Sequence, residues 1–190
     1  MSVPEFPHDS LLFFGRITKY KGLDVLLRAY RNLAQRWPDL RLRIVGEGNL
    51  RPYASLLRGL PRTEVINRWV LDTEIAGLFQ DAGIVVLPYL SASQSGVVAI
   101  AAAFARPVVA TKVGALAEQI EHGQTGLLID PGSIEQLEEA VETLVRQPEL
   151  GCRLGKDLAA RNQENNNWDK VAQAYADSCG RAVGKQTRTS

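Results

Sequence analysis

Short apolar runs rich in Val, Ile and Leu alternate along the chain with longer stretches whose apolar residues return every three or four positions. The runs predict strands over Leu11–Ile17, Arg41–Gly46, Glu64–Val70, Gly83–Tyr89, Pro107–Thr111 and Gly126–Ile129. The periodic stretches predict helices over Gly22–Trp37, Leu50–Leu60, Thr73–Asp81, Gly96–Ala105, Val113–His122, Ser133–Gln147, Glu149–Gln163 and Asn167–Val183. In the first of these helices Leu23, Leu26, Leu27, Tyr30, Leu33 and Trp37 share one face, and Pro38-Asp39 ends it. Asp72 and Ser133 are the expected N-caps of two others. A run such as Gly83–Tyr89 has no polar face, so its strand must be buried on both sides. A parallel sheet covered by helices meets that need, and the class is therefore α/β, a three-layer sandwich with about six strands. Open sheets of this kind take ligands beyond the carboxyl ends of their strands. Four loops lie there: Gly15–Gly22, Gly46–Asn49, Arg68–Asp72 and Tyr89–Gly96.

Composition narrows the picture. The chain has 190 residues, 45% hydrophobic and 23% charged, which suits one globular domain. A net charge of +1 argues against wholesale binding to nucleic acid or an anionic membrane. Cys152 and Cys179 lack metal-ligand spacing and read as reduced thiols of a cytoplasmic protein. The first residues lack the basic and apolar regions of a signal peptide, and Val97–Ala105 is too short to cross a bilayer. Residues 1–10, with Pro4 and Pro7, read as a linker or scar, residues 11–183 as the domain, and residues 184–190 as a disordered tail.

The candidate chemistry gathers in the strand-end loops. Ala82–Thr111 reads as strand, polar loop, helix, strand, and the helix opens at Gly96. The N–H groups of Gly96, Val97 and Val98 lack intrahelical partners and suit an anion such as a pyrophosphate. The same letters also fit a core helix capped by Ser91, Ser93 or Ser95. Gly15-Arg16 and Lys21-Gly22 put an Arg and a Lys five positions apart, able to converge on a phosphate pair or to form a solvated basic loop. Gly46-Glu47-Gly48 is half of a dinucleotide fingerprint with Arg51 where its third glycine belongs, and reads better as a tight turn needing positive φ. In Arg68-Trp69-Val70 the indole either stacks near a base or packs under a loop. His8 and His122 have no partners at ligand or triad spacing, and no metal cluster or nucleophile–base pair is evident.

In this order, FGRITKYKG, RIVGEG, VINRWV with its helix, GIVVLPY, the Gly-led helix, RPVVATKVGALAE and EHGQTGLLIDPGS resemble the retaining family 4 (group 1) glycosyltransferases of the GT-B architecture. The resemblance runs from about Leu11 to Val183 and includes the closing helix at Asn167-Trp168. It implies a Rossmann-like domain, the carboxyl-terminal, donor-binding half of a GT-B enzyme. It implies that Arg16 and Lys21 serve catalysis by holding the donor's diphosphate, and that Gly15, Gly46 and Gly48 line the nucleotide. It implies base reading by the main chain near Arg68, Trp69 and Val70, and pyrophosphate binding by Ser95, Gly96, Val97 and Val98. No metal and no cofactor beyond the nucleotide-sugar, expected to be a UDP-sugar, is implied, because Arg, Lys and the helix N-terminus offset the leaving-group charge.

Two departures stand out. The family's two glutamates, eight positions apart, are missing: the first region reads Ser93-Gln94-Ser95-Gly96 and the second falls at Ile100 or Ala101. This suggests a variant subgroup in which Gln94 or a nearby serine contacts the sugar. The amino-terminal, acceptor-binding half is also absent from these residues. The expected function is transfer of a sugar to a carbohydrate or lipid-linked saccharide acceptor in polysaccharide or glycoconjugate synthesis, weak or absent in this domain alone. The expected location is cytoplasmic, with the full-length enzyme peripheral to the membrane's inner face. The rivals are a non-catalytic nucleotide-sugar-binding subunit that needs a partner protein, and a nicotinamide-binding Rossmann domain, which the misplaced Gly-x-Gly disfavours.

Overall fold

The computed structural model describes residues 7–91 and 95–165. Over these residues strands β1 (Ser10–Phe14), β2 (Arg41–Val45), β3 (Thr63–Ile66), β4 (Ile84–Leu87), β5 (Val108–Thr111) and β6 (Leu127–Ile129) form one sheet in the order β3-β2-β1-β4-β5-β6. Every neighbouring pair is parallel. The helices are α1 (Leu23–Arg36), α2 (Ala54–Leu57), α3 (Asp72–Gln80), α4 (Gly96–Ala103), α5 (Leu116–Gln119), α6 (Ile134–Arg146) and α7 (Pro148–Asn165). This is the expected three-layer, Rossmann-like α/β fold.

Alternation along the strands feeds two cores. Leu11 and Phe13 of β1 join Leu42, Ile44, Ile84, Val86 and Val109 in one, closed by the apolar stripes of α1 and α6. Leu12, Val85, Leu87, Val108 and Ala110 face the other, closed by Phe79 of α3, Val98 and Ala101 of α4, and Leu116 of α5. α7 lies against α4 and places Leu154 in the first core and Leu158 in the second. The chain winds from β1 outward to β3, then crosses back to β4 on the other side of β1, so the winding reverses between β1 and β4. No described helix is long and apolar enough to cross a membrane.

Element ends differ from the sequence reading where side chains intervene. β1 stops at Phe14, and Ile17 keeps only a single bridge to Gly48. β3 stops at Ile66 because the Asn67 amide bonds the Gly48 N–H at 3.0 Å and its carbonyl at 3.1 Å, replacing further strand pairing. Leu50–Leu60 is not one helix: Pro52 sits in a 3-10 turn over Arg51–Tyr53, and α2 adds a single turn. Asp72 does not cap α3. Leu71 is the N-cap, and the Glu74 carboxylate accepts its N–H at 3.0 Å. α5 is far shorter than Val113–His122, and α4 ends at Ala103. Ser133 does cap α6, its hydroxyl accepting from the Gln136 N–H at 3.2 Å. The expected helix Asn167–Val183, Cys179, the tail and most of the leading linker lie outside the described residues.

Candidate functional site

The reversal of winding brings the β1–α1 and β4–α4 loops side by side at the carboxyl edge of the sheet. Glycine permits the contact. Gly22 has φ +65°, and a Cβ there would strike the Pro88 carbonyl. The β2 loop joins in the same way, since Gly46 has φ +141° and a Cβ on it would strike the Gly15 carbonyl. The resulting cleft, of about 260 Å³, is lined by Gly15, Arg16, Gly46, Arg68, Trp69 and Val70. Phe14 and Ile75 give it an apolar wall, and Glu47 and Asp72 add carboxylates. Six of the residues singled out in the sequence therefore meet in one cleft. Gly48 does not line it and packs against Ile17 instead.

The 68–71 loop is stiffened from below. Arg68 lays its guanidinium on the Glu74 carboxylate through bonds of 2.9 and 2.6 Å, and Nη1 also donates to the Trp69 carbonyl at 3.1 Å. The hydrogen bond from Arg68, with the Leu71 N–H behind it, holds the Glu74 carboxyl down to about 2. Arg68 thus braces the loop, and Val70 lines the cleft while packing against the second core. Trp69 is 69% exposed, which removes the reading of a Trp packed under a loop.

Beyond Gly15 lies a polar corner. Lys21 is only 9% exposed. Its Nζ donates to the Tyr89 hydroxyl at 2.5 Å and lies 3.8 Å from the centre of that ring. Among the described residues no carboxylate pairs with it, and burial alone pulls its ammonium down to about 8. The Tyr89 Oη is 3.4 Å from Ser95 Oγ, and burial pushes the phenol up to about 12. Thr111 fixes Tyr89 from behind, its hydroxyl donating to the Tyr89 carbonyl at 2.6 Å. Ser95 is the extended N-cap residue of α4, yet its side chain caps nothing. The N–H groups of Gly96, Val97 and Val98 are thus not taken by Ser95. Gly96 is exposed, a Cβ on it would meet nothing within 4 Å, and its φ is ordinary. Arg16 is exposed at the cleft and in no ion pair with the described residues, whereas Lys21 is buried, so the two do not form one solvated basic loop. A Cβ on Gly15 would lie 3.7 Å from Lys21 Nζ, so the corner adjoins the cleft. Ser93 and Gln94 lie outside the described residues.

The arrangement is a cleft next to a buried cation and a helix N-terminus that the Ser95 side chain does not cap. Among the described residues no group of His, Cys, Asp or Glu is arranged to hold a metal. Sequence reading overlooked Tyr89, Thr111 and Glu74. Tyr89 carried a signal, a hydroxyl-bearing ring closing a buried apolar run at the ligand edge.

Comparison with known proteins agrees. The family model for group 1 glycosyl transferases matches residues 8–147. A D-inositol 3-phosphate glycosyltransferase of Pseudarthrobacter chlorophenolicus is 38% identical over 185 residues, covering 92% of this chain and 43% of that protein. The chain spans less than half the length of the curated relatives it matches. Anabaena HepE, solved in complex with UDP-glucose, superposes with a TM-score of 0.77 at 21% identity, over 90% of this chain and 48% of that one. The carboxyl-terminal domain of LpcC, a group 1 family protein of Francisella tularensis, gives 0.75 at 23% identity, over 83% of this chain and 85% of that domain. These two likenesses concern the fold.

Proposed function

The chain belongs to the group 1 glycosyltransferases, and on that premise we propose that it is the donor-binding domain of a retaining, family 4 enzyme. The enzyme moves a sugar from a UDP-sugar to a carbohydrate or lipid-linked saccharide acceptor in polysaccharide or glycoconjugate synthesis. One observation carries the reading: the Lys21 ammonium is buried beside the N-terminus of α4 with no carboxylate partner among the described residues. A buried charge is costly unless paired, and here two positive elements adjoin, so the partner they lack is an anion. A diphosphate supplies it.

The nucleotide then lies in the cleft with its base against Val70 and Trp69 and its diphosphate between Arg16, Lys21 and the first N–H groups of α4. As the bond from sugar to diphosphate breaks, negative charge grows on the leaving oxygen, and these fixed groups meet it without rearranging. No divalent ion has a part in this reading. In this reading Gln94 or a nearby serine takes the part of the family's first glutamate toward the sugar, and Ile100 or Ala101 stands where the second belongs. Uridine is preferred because a protein of the same fold was solved with UDP-glucose.

Calorimetric titration of the chain with UDP, GDP, ADP and NAD tests the proposal. UDP should bind best, and Lys21→Ala should remove most of its affinity. Failure of every nucleoside diphosphate to bind, or tighter binding of NAD, would overturn it.

A further inference from the structure

We propose that Tyr89 and Ser95 form a hydroxyl relay through which the charge of Lys21 reaches the bound diphosphate, with Tyr89 as a positioning residue. The inference rests on the donor-site reading and adds how that site's cation acts. An ammonium can only donate hydrogen bonds, so the Tyr89 oxygen is the acceptor of the 2.5 Å bond from Lys21 Nζ. The tyrosine's one hydrogen must then go elsewhere. Its hydroxyl is buried, so leaving it unpaired is costly, and among the described residues Ser95 Oγ at 3.4 Å is the oxygen in reach. Ser95, having accepted from Tyr89, is left with its own O–H to donate. That residue stands at the head of α4 beside the open N–H groups, and its failure to cap the helix fits an oxygen turned toward Tyr89.

The three hydrogens thus point one way, from ammonium to phenol to serine to anion. Each bond polarises the next, and the first is charge-assisted. The second step is the longer one at 3.4 Å, and an anion drawing on the Ser95 hydroxyl strengthens it. Lys21 is held where it is. It rests on the Tyr89 ring face, and moving away would forfeit that contact and strip the tyrosine oxygen of its partner. Tyr89 is fixed in turn by Thr111 behind its carbonyl and by a T-shaped contact with Tyr20, the ring centres 6.4 Å apart.

The test compares UDP with uridine, which lacks the diphosphate, by NMR and calorimetric titration of the parent, Y89F, S95A, S95T, K21A and the K21A/S95A double variant. Melting curves confirm folding, which the retained ring of Y89F favours. Y89F and S95A should each weaken UDP binding about three- to tenfold, the scale of one hydrogen bond, and leave uridine unchanged. S95T should restore affinity. K21A/S95A should bind UDP no more weakly than K21A, because members of one chain do not add. Parental UDP affinity in Y89F, or losses from K21A and S95A that multiply, would overturn the relay while leaving the donor site in place. A parent that binds no UDP would overturn both.

Discussion

Lys21 titrates within reach of neutral pH, and that makes its role measurable. Its ammonium is held at about 8 in the free domain against an ordinary value of 10.5, because it is desolvated. A bound diphosphate favours the charged form and raises that value again. Affinity for UDP should therefore be greatest near pH 7, fall as pH rises through about 8 and Lys21 loses its charge, and fall again below about 6 as the ligand's terminal phosphate takes up a proton. Calorimetry across this range checks the slope. Tyr89, pushed up to about 12, stays protonated throughout. The unfolded chain binds a Lys21 proton up to 10.5 and the folded one only to about 8, so this group makes stability rise with pH between those values. Lys21→Met should accordingly stabilise the free domain by about 1 kcal/mol at pH 7, read as a higher melting temperature, while removing UDP binding. Arg16→Ala should cost about 1 kcal/mol of UDP binding and less at high salt, because Arg16 is exposed. The spacing of Arg16 and Lys21 was legible in the sequence. The burial of Lys21 was not, because it depends on Tyr89, 68 positions away. Tyr89 was placed at the ligand edge by the sequence, but not as the partner of Lys21.

The loops and α4 set two glycines against each other. Gly96 opens α4 with an ordinary φ and open space beyond its missing side chain. The fold does not require a glycine there, and the place it leaves is where a phosphate would approach the first N–H groups. Gly96→Val should melt close to the parent and bind UDP at least tenfold more weakly, through loss of one or more charge-assisted hydrogen bonds. Equal UDP affinity in parallel titrations would mean that no ligand approaches there. Gly46→Val is the opposite case. Its φ of +141° and the Gly15 carbonyl behind it should make the variant unstable by about 2–3 kcal/mol in chemical denaturation, with binding lost along with the fold. The elements themselves were plain from the chain, since uninterrupted Val and Ile runs suit strands buried on both faces. Their ends were not. Asn67 halts β3 through its side chain, and Glu74 rather than Asp72 serves the start of α3.

At the scale of the molecule, a parallel sheet could be foreseen, but not that β1 would lie between β2 and β4, because apolar runs do not encode neighbours. The chain covers less than half of its curated relatives' length. These residues alone should bind UDP undiminished by excess EDTA and transfer little sugar, because orienting the acceptor and excluding water need more surface than one domain supplies. Robust transfer to a defined saccharide, followed by chromatography, would contradict this. The central position of β1 also bears on how the protein assembles. Lys21 meets Tyr89 only after a 68-residue loop has closed, and closing so long a loop is among the slow, entropically unfavourable steps of folding. The anion site is thus absent from every partly folded form in which β1 and β4 are apart. A diphosphate rivets that long-range pairing, and in hydrogen exchange it should slow the amides of the central strands first, leaving β3 at the sheet's edge to open as freely as before.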